Sequence, residues 1–86
     1  NNMIKVVNVI YHGSQFEVGC NNGNYEPVTL ILSDGSKIET ETCRCRNGCG
    51  GTACLYVRLE GEWCFITDLI FKDRKALEDF LFGEEE

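Results

Sequence analysis

The chain has one histidine, no Cys-x-x-Cys pair, no surplus of lysine and arginine, and no apolar run near the ~18 residues of a membrane span. Each absence excludes something. His12, the one histidine, falls in a turn far along the chain from most of the cysteines, so a cysteine nucleophile has no base within hydrogen-bond reach. Without Cys-x-x-Cys there is no dithiol redox pair. Scattered aspartates and glutamates form no separable acid and base. The run Gly48 to Gly51 leads into strand-like sequence, whereas a phosphate-cradling loop needs a helix behind it. The expectation is a protein that is not an enzyme.

Charge narrows the partners. Fourteen acidic residues face eight basic ones, a net charge of −6, and Glu84, Glu85 and Glu86 supply three of the negative charges. The remaining 11 acidic and 8 basic residues leave a mildly acidic body with a short acidic tail at 84–86. Non-specific binding to nucleic acid or anionic lipid needs the opposite sign, so membrane is excluded as a partner and nucleic acid is disfavoured. A basic surface on a larger protein fits, and Glu39, Glu41, Glu84, Glu85 and Glu86 are the candidate contacts.

What is present is cysteine. Four of the six cysteines fall in the segment 43–54, spaced Cys-x-Cys-x3-Cys-x4-Cys among glycines. A chain of 86 residues builds a marginal core, and a metal ion or disulfides would reinforce it. Four thiolates, Cys43, Cys45, Cys49 and Cys54, suit a structural Zn²⁺. Tetrahedral zinc wants sulfurs about 3.8 Å apart. Cβ atoms at i and i+2 of a strand lie roughly 6.5–7 Å apart, so the backbone must bend between Cys43 and Cys45. Gly48, Gly50 and Gly51 give the loop its freedom, and Arg44 and Arg46 would offset the thiolate charge. Disulfides are the alternative, and compartment decides between them. Asn1-Asn2 ahead of Met3 reads as a foreign leader before an initiator methionine, which implies a cytoplasmic protein with reduced thiols. A secreted, disulfide-bonded domain is the competing case. Cys20 and Cys64 fall among valines and isoleucines and read as small packing side chains.

The rest reads as strands. Met3 to Tyr11 is rich in β-branched residues. A turn at His12-Gly13 would set Val9 opposite Phe16 and Val7 opposite Val18, sharing an apolar face, with Cys20 beyond. Asn21 to Asn24 is a loop, and Pro27 opens the next strand. Val28 to Leu32 and Ser36 to Thr42 flank Asp34-Gly35. A three-residue turn with left-handed Gly35 sets Leu30 against Ile38 and Val28 against Thr40, which a two-residue turn would not. Thr29, Ile31, Lys37, Glu39 and Glu41 then face outward. Ala53 to Leu59 and Glu62 to Leu69 form a third hairpin about Glu60-Gly61. It sets Val57 against Cys64, Leu55 against Ile66, Tyr56 against Phe65 and Arg58 against Trp63. Both of its faces are partly apolar, which implies a central, covered position. Asp73 caps a helix over 74–82 that Gly83 stops, with Ala76, Leu77, Phe80 and Leu81 on its inner face. Arg74 and Lys75 sit at the wrong end of its dipole.

The expected fold is thus α+β and mainly β, a single domain over 1–86. It has about six antiparallel strands in three hairpins and one short C-terminal helix. The expected function is a non-enzymatic protein-binding module, for instance a small acidic inhibitor of phage type that occupies the basic groove of a larger nucleic-acid-binding protein. A zinc-knuckle nucleic-acid binder using Arg44, Arg46, Arg58, Tyr56 and Trp63 is an alternative.

Zinc held by the four clustered cysteines would supply about 10–16 kcal/mol, comparable to or above the stability of a whole small domain. Elemental analysis of protein purified without added metal should then give about one zinc per chain, and a chelator should unfold it. Absent zinc together with missing free thiols rejects the metal site in favour of disulfides.

Overall fold

The computed structural model of the chain describes residues 3–13, 25–43 and 55–83. The β-branched run after Met3 forms β1 (Ile4–Tyr11), followed by β2 (Glu26–Leu32) and β3 (Lys37–Thr42). A second pair of strands, β4 (Tyr56–Leu59) and β5 (Glu62–Phe65), leads through a 3-10 turn at Ile66–Asp68 to the two-residue β6 (Ile70–Phe71). The chain then enters the helix α1 (Arg74–Phe82). The main sheet is antiparallel with order β3-β2-β1-β6, and β4-β5 is a separate two-stranded sheet.

The β2–β3 register is the one the hydrophobic pattern demands. Leu30 lies beside Ile38 and Val28 beside Thr40. Gly35 sits at φ +91°, its N–H donates to Leu32 O at 2.9 Å, and Leu32 N donates to Ser36 O at 2.9 Å. This is a tight turn closed by a glycine bulge. Asp34 fastens it: Oδ1 accepts from Ser36 N at 2.9 Å and from Ser36 Oγ at 2.6 Å. Those bonds, first the side-chain one, hold the Asp34 carboxyl below the usual aspartate range. Their contribution is therefore present above that range and fades as pH falls through the lowered value.

The core is one face of this sheet closed by α1. Val6, Val28, Leu30, Ile66 and Leu77 are fully buried, and Phe71 and Phe80 pack beside them with ring centroids 5.4 Å apart. The helix ends as its sequence specifies. Asp73 accepts from Ala76 N at 2.9 Å, and left-handed Gly83 donates to Asp79 O at 3.0 Å. Arg74 and Lys75, misplaced for the helix dipole, bond Glu78 and Asp79 one turn on. Arg74 also reaches Ser36 Oγ at 3.0 Å and Lys37 O at 3.2 Å, tying the start of α1 to the start of β3.

Four expectations change. Val7 and Val9 do not share a face, because a β-bulge between Val6 and Asn8 makes Val7 the extra residue and leaves it 53% exposed. Thr29 is buried on the outer face, flanked by His12 and Glu39. The β4–β5 hairpin has the expected register, with Glu60 and Gly61 both at positive φ, but it is not central. Trp63 is 49% and Leu59 47% exposed. Its second strand also ends at Phe65, since the chain turns into the 3-10 segment. The pairings of Phe16 and Val18 lie outside the described residues.

A Cβ added at Gly35 meets nothing within 4 Å, so a substitution there is opposed by backbone conformation alone. Gly35→Val should cost more than about 1 kcal/mol, a fall of ~4–8 °C in Tm, read by thermal denaturation. An unchanged Tm rejects the bulge.

Candidate functional site

An open groove of ≈ 320 Å³ lies where the ends of three elements meet. Tyr25, just before β2, and Phe82, the last residue of α1, are aromatic walls that stand 49% and 56% exposed. Leu55 and Leu81 supply apolar lining. Thr40 and Glu41 of β3 and Gly83 complete it.

The position of the groove follows from β3. Successive strand side chains point to opposite faces, Thr40 beside buried Val28 and Glu41 beside Pro27. A groove touching both, and Tyr25 just before β2, lies around the end of the strand. Glu41 is exposed and, among the described residues, is the one charged side chain of its lining. The last turn of α1 also presents carbonyls carrying partial negative charge. The walls are apolar and the charge is of one sign.

Leu55 has a conformation that L-residues avoid. Its φ is +65°, yet its side chain is 1% exposed. Its carbonyl accepts from Ile66 N at 2.8 Å, which continues the β4–β5 ladder. The strain of roughly 1–2 kcal/mol is offset by burying the leucine.

On the outer face of the sheet, His12 Nε2 lies 2.6 Å from Thr29 Oγ1, and Thr29 Oγ1 donates to Glu39 Oε1 at 2.6 Å. With the hydroxyl proton on Glu39, the imidazole donates from Nε2. His12 thus braces Glu39, one of the expected partner contacts.

Of those contacts the structure places two on β3. Glu39 and Glu41 are exposed at alternate positions of one face, and no described cation pairs with either. Glu84, Glu85 and Glu86 lie outside the described residues; they follow Gly83 of the groove directly in sequence. Sequence reasoning missed Tyr25 and Phe82. The signal for Phe82 was an aromatic residue off the apolar face of α1, one position before the stopping glycine.

Of the expected zinc ligands, Cys43 is described and Cys45, Cys49 and Cys54 are not. Cys43 follows β3, is buried, and is disulfide-bonded. A sulfur in a disulfide is no thiolate, so in this state Cys43 is not a metal ligand, and zinc there requires that the bond be reduced. Among the described residues no three His, Cys, Asp or Glu side chains gather as a metal site. Cys64 is a half-buried free thiol beside Val57. Cys20 lies outside the described residues. For the nucleic-acid alternative, Arg44 and Arg46 also lie outside them. Arg58 stacks 5.2 Å from the Trp63 ring, and Tyr56 packs on Phe65 at 4.9 Å. Among the described residues no helix is long and apolar enough to cross a membrane.

The chain matches no protein-family model, no curated protein and no solved structure.

Truncating Leu55 tests the strained floor of the groove. Leu55→Ala should cost about 2–5 kcal/mol. Leu55→Gly should be no worse, and up to ~1 kcal/mol better than alanine, because glycine accepts positive φ. Denaturant titration showing glycine clearly below alanine, the ordinary order in a strand, would reject the left-handed backbone.

Proposed function

We propose that the protein is a non-enzymatic binding module that captures a basic segment of a larger protein through the groove beside β3. The observation that carries this reading is the groove itself. Among the described residues, exposed aromatic and aliphatic walls surround a single carboxylate, Glu41, at the negative end of a helix, with no basic side chain in the lining. An apolar stem ending in a cation, as in lysine or arginine, satisfies both features, and aromatic walls favour a cation further. Glu39 adds a second carboxylate on the same face of β3, and Glu84, Glu85 and Glu86 follow Gly83 in sequence. An inhibitor that fills the basic, nucleic-acid-binding groove of its target is the concrete form of this function.

The nucleic-acid reading is weaker. The described hairpin offers one arginine, and its guanidinium already lies over Trp63. The disulfide at Cys43 fits the competing secreted, disulfide-bonded domain, whose basic partner would be an extracellular protein rather than a nucleic-acid-binding one.

The test uses short blocked peptides of lysine and valine in shuffled orders, titrated against the whole protein. Binding should weaken as salt rises, and Glu41→Lys should reduce affinity about tenfold, ~1.4 kcal/mol, with Tm unchanged. Equal binding by Glu41→Lys, or preferential retention of DNA or RNA at physiological salt, overturns the reading.

A further inference from the structure

The groove accompanies a strand edge that has no partner strand among the described residues. β3 is the last strand of its sheet. Ser36 O accepts from Leu32 N, so the polar backbone groups of Ser36 point toward β2. Strand backbone alternates sides, so those of Ile38, Thr40 and Thr42 also point toward β2, and those of Lys37, Glu39 and Glu41 point outward. The bond from Arg74 Nη2 to Lys37 O at 3.2 Å confirms the outward sense at Lys37 and occupies that carbonyl. Outward N–H and C=O groups with no partner among the described residues therefore remain on Glu39 and Glu41, the two residues whose carboxylates stand on the outer face. Arg74 of α1 meets the start of β3, while Leu81 and Phe82 share the groove with its end. A helix of this length, about 13 Å, runs in step with the ~13 Å between Lys37 and Glu41.

We infer that the partner segment binds in extended form, as an added strand on the edge of β3, with a basic–apolar–basic pattern. This rests on the basic-partner reading above and specifies its geometry. An added strand satisfies the free backbone groups of Glu39 and Glu41. Its side chains opposite those residues fall on the outer face, where lysine or arginine meets the two carboxylates. The side chain between them, opposite Thr40, falls on the other face, where Leu81 and Phe82 wait, so it is apolar. Arg74 and charge together disfavour a second copy of this chain: a two-fold pairing centred on Glu39 would need the Lys37 carbonyl that Arg74 occupies. A two-fold pairing centred on Thr40 would set Glu39 against Glu41 twice, and like charges directly opposite are destabilising.

The experiment uses the same lysine–valine peptides and the whole protein. The strictly alternating order should bind at least about tenfold more tightly than an order with the lysines in one block. Backbone N-methylation of one alternate set of residues should abolish binding, while methylation of the other set leaves it intact, since only one set faces β3. Methylation of lysines being the damaging one would indicate antiparallel addition; of valines, parallel addition. If peptides bind in every order alike, or both methylated sets bind equally, strand addition is wrong while the basic-partner reading stands. If no order binds, both fail. A concentration-dependent dimer that the alternating peptide cannot dissociate would assign the edge to a second copy and overturn the inference.

Discussion

The hydrogen bond from Leu32 N to Ser36 O, which Gly35 permits by its positive φ, fixes which residue of β3 lies beside which residue of β2. Much of the sheet follows from it. A slip of one residue would place Lys37 or Glu39 where Ile38 now meets Leu30, and would expose an isoleucine that is 5% accessible. The same bond decides which backbone groups of β3 are spent on β2 and which face outward. The core packing and the outward-facing groups of β3 are thus two results of one turn, and neither can be altered without the other.

The core is small, and the rest of the chain is arranged to close it. A nine-residue helix is too short to be stable alone. It is held by Asp73 and Gly83 at its ends, by Leu77 in the core, and by Arg74 on the β2–β3 hairpin. On the other side of the sheet centre, the bulge at Val7 switches the alternation of β1, so that both Val6 and Val9 pack inward. The groove is what remains open where these pieces meet. Its floor, Leu55, is held in an unfavourable backbone conformation by its own burial.

Local chemistry was legible in the sequence and the assembly of the pieces was not. Gly35, Glu60-Gly61, Asp73 and Gly83 are turn and cap residues whose geometry depends on their own few neighbours, so two hairpin registers and the limits of α1 could be read directly. The bulge at Val7 has no local mark: Val6, Val7 and Val9 are equally apolar, and only packing selects which is left out. The placement of β4–β5 failed for a related reason. Apolar residues on both faces suggested a covered strand pair, but Trp63 stacks on Arg58 and stays half exposed. Glu41 was legible as a candidate contact through its charge. Tyr25 and Phe82 were not, because the groove joins residues far apart in sequence through no periodicity. Cys43 was recognised as important, but spacing could not tell a thiolate from a half-disulfide.

The bond between Arg74 and the Lys37 carbonyl also bears on how the protein behaves when crowded with copies of itself. Strand edges invite lateral stacking, and stacks of six or seven residues of low charge are the seeds of fibres. By occupying one outward carbonyl, Arg74 shortens the usable edge to the stretch around Glu39 and Glu41, whose like charges would face each other if two such edges met about Thr40. Both features weigh against the pairing of this edge with its own copy. An edge that repels its own kind in this way is, on the reading proposed above, the one that takes a single strand of opposite charge.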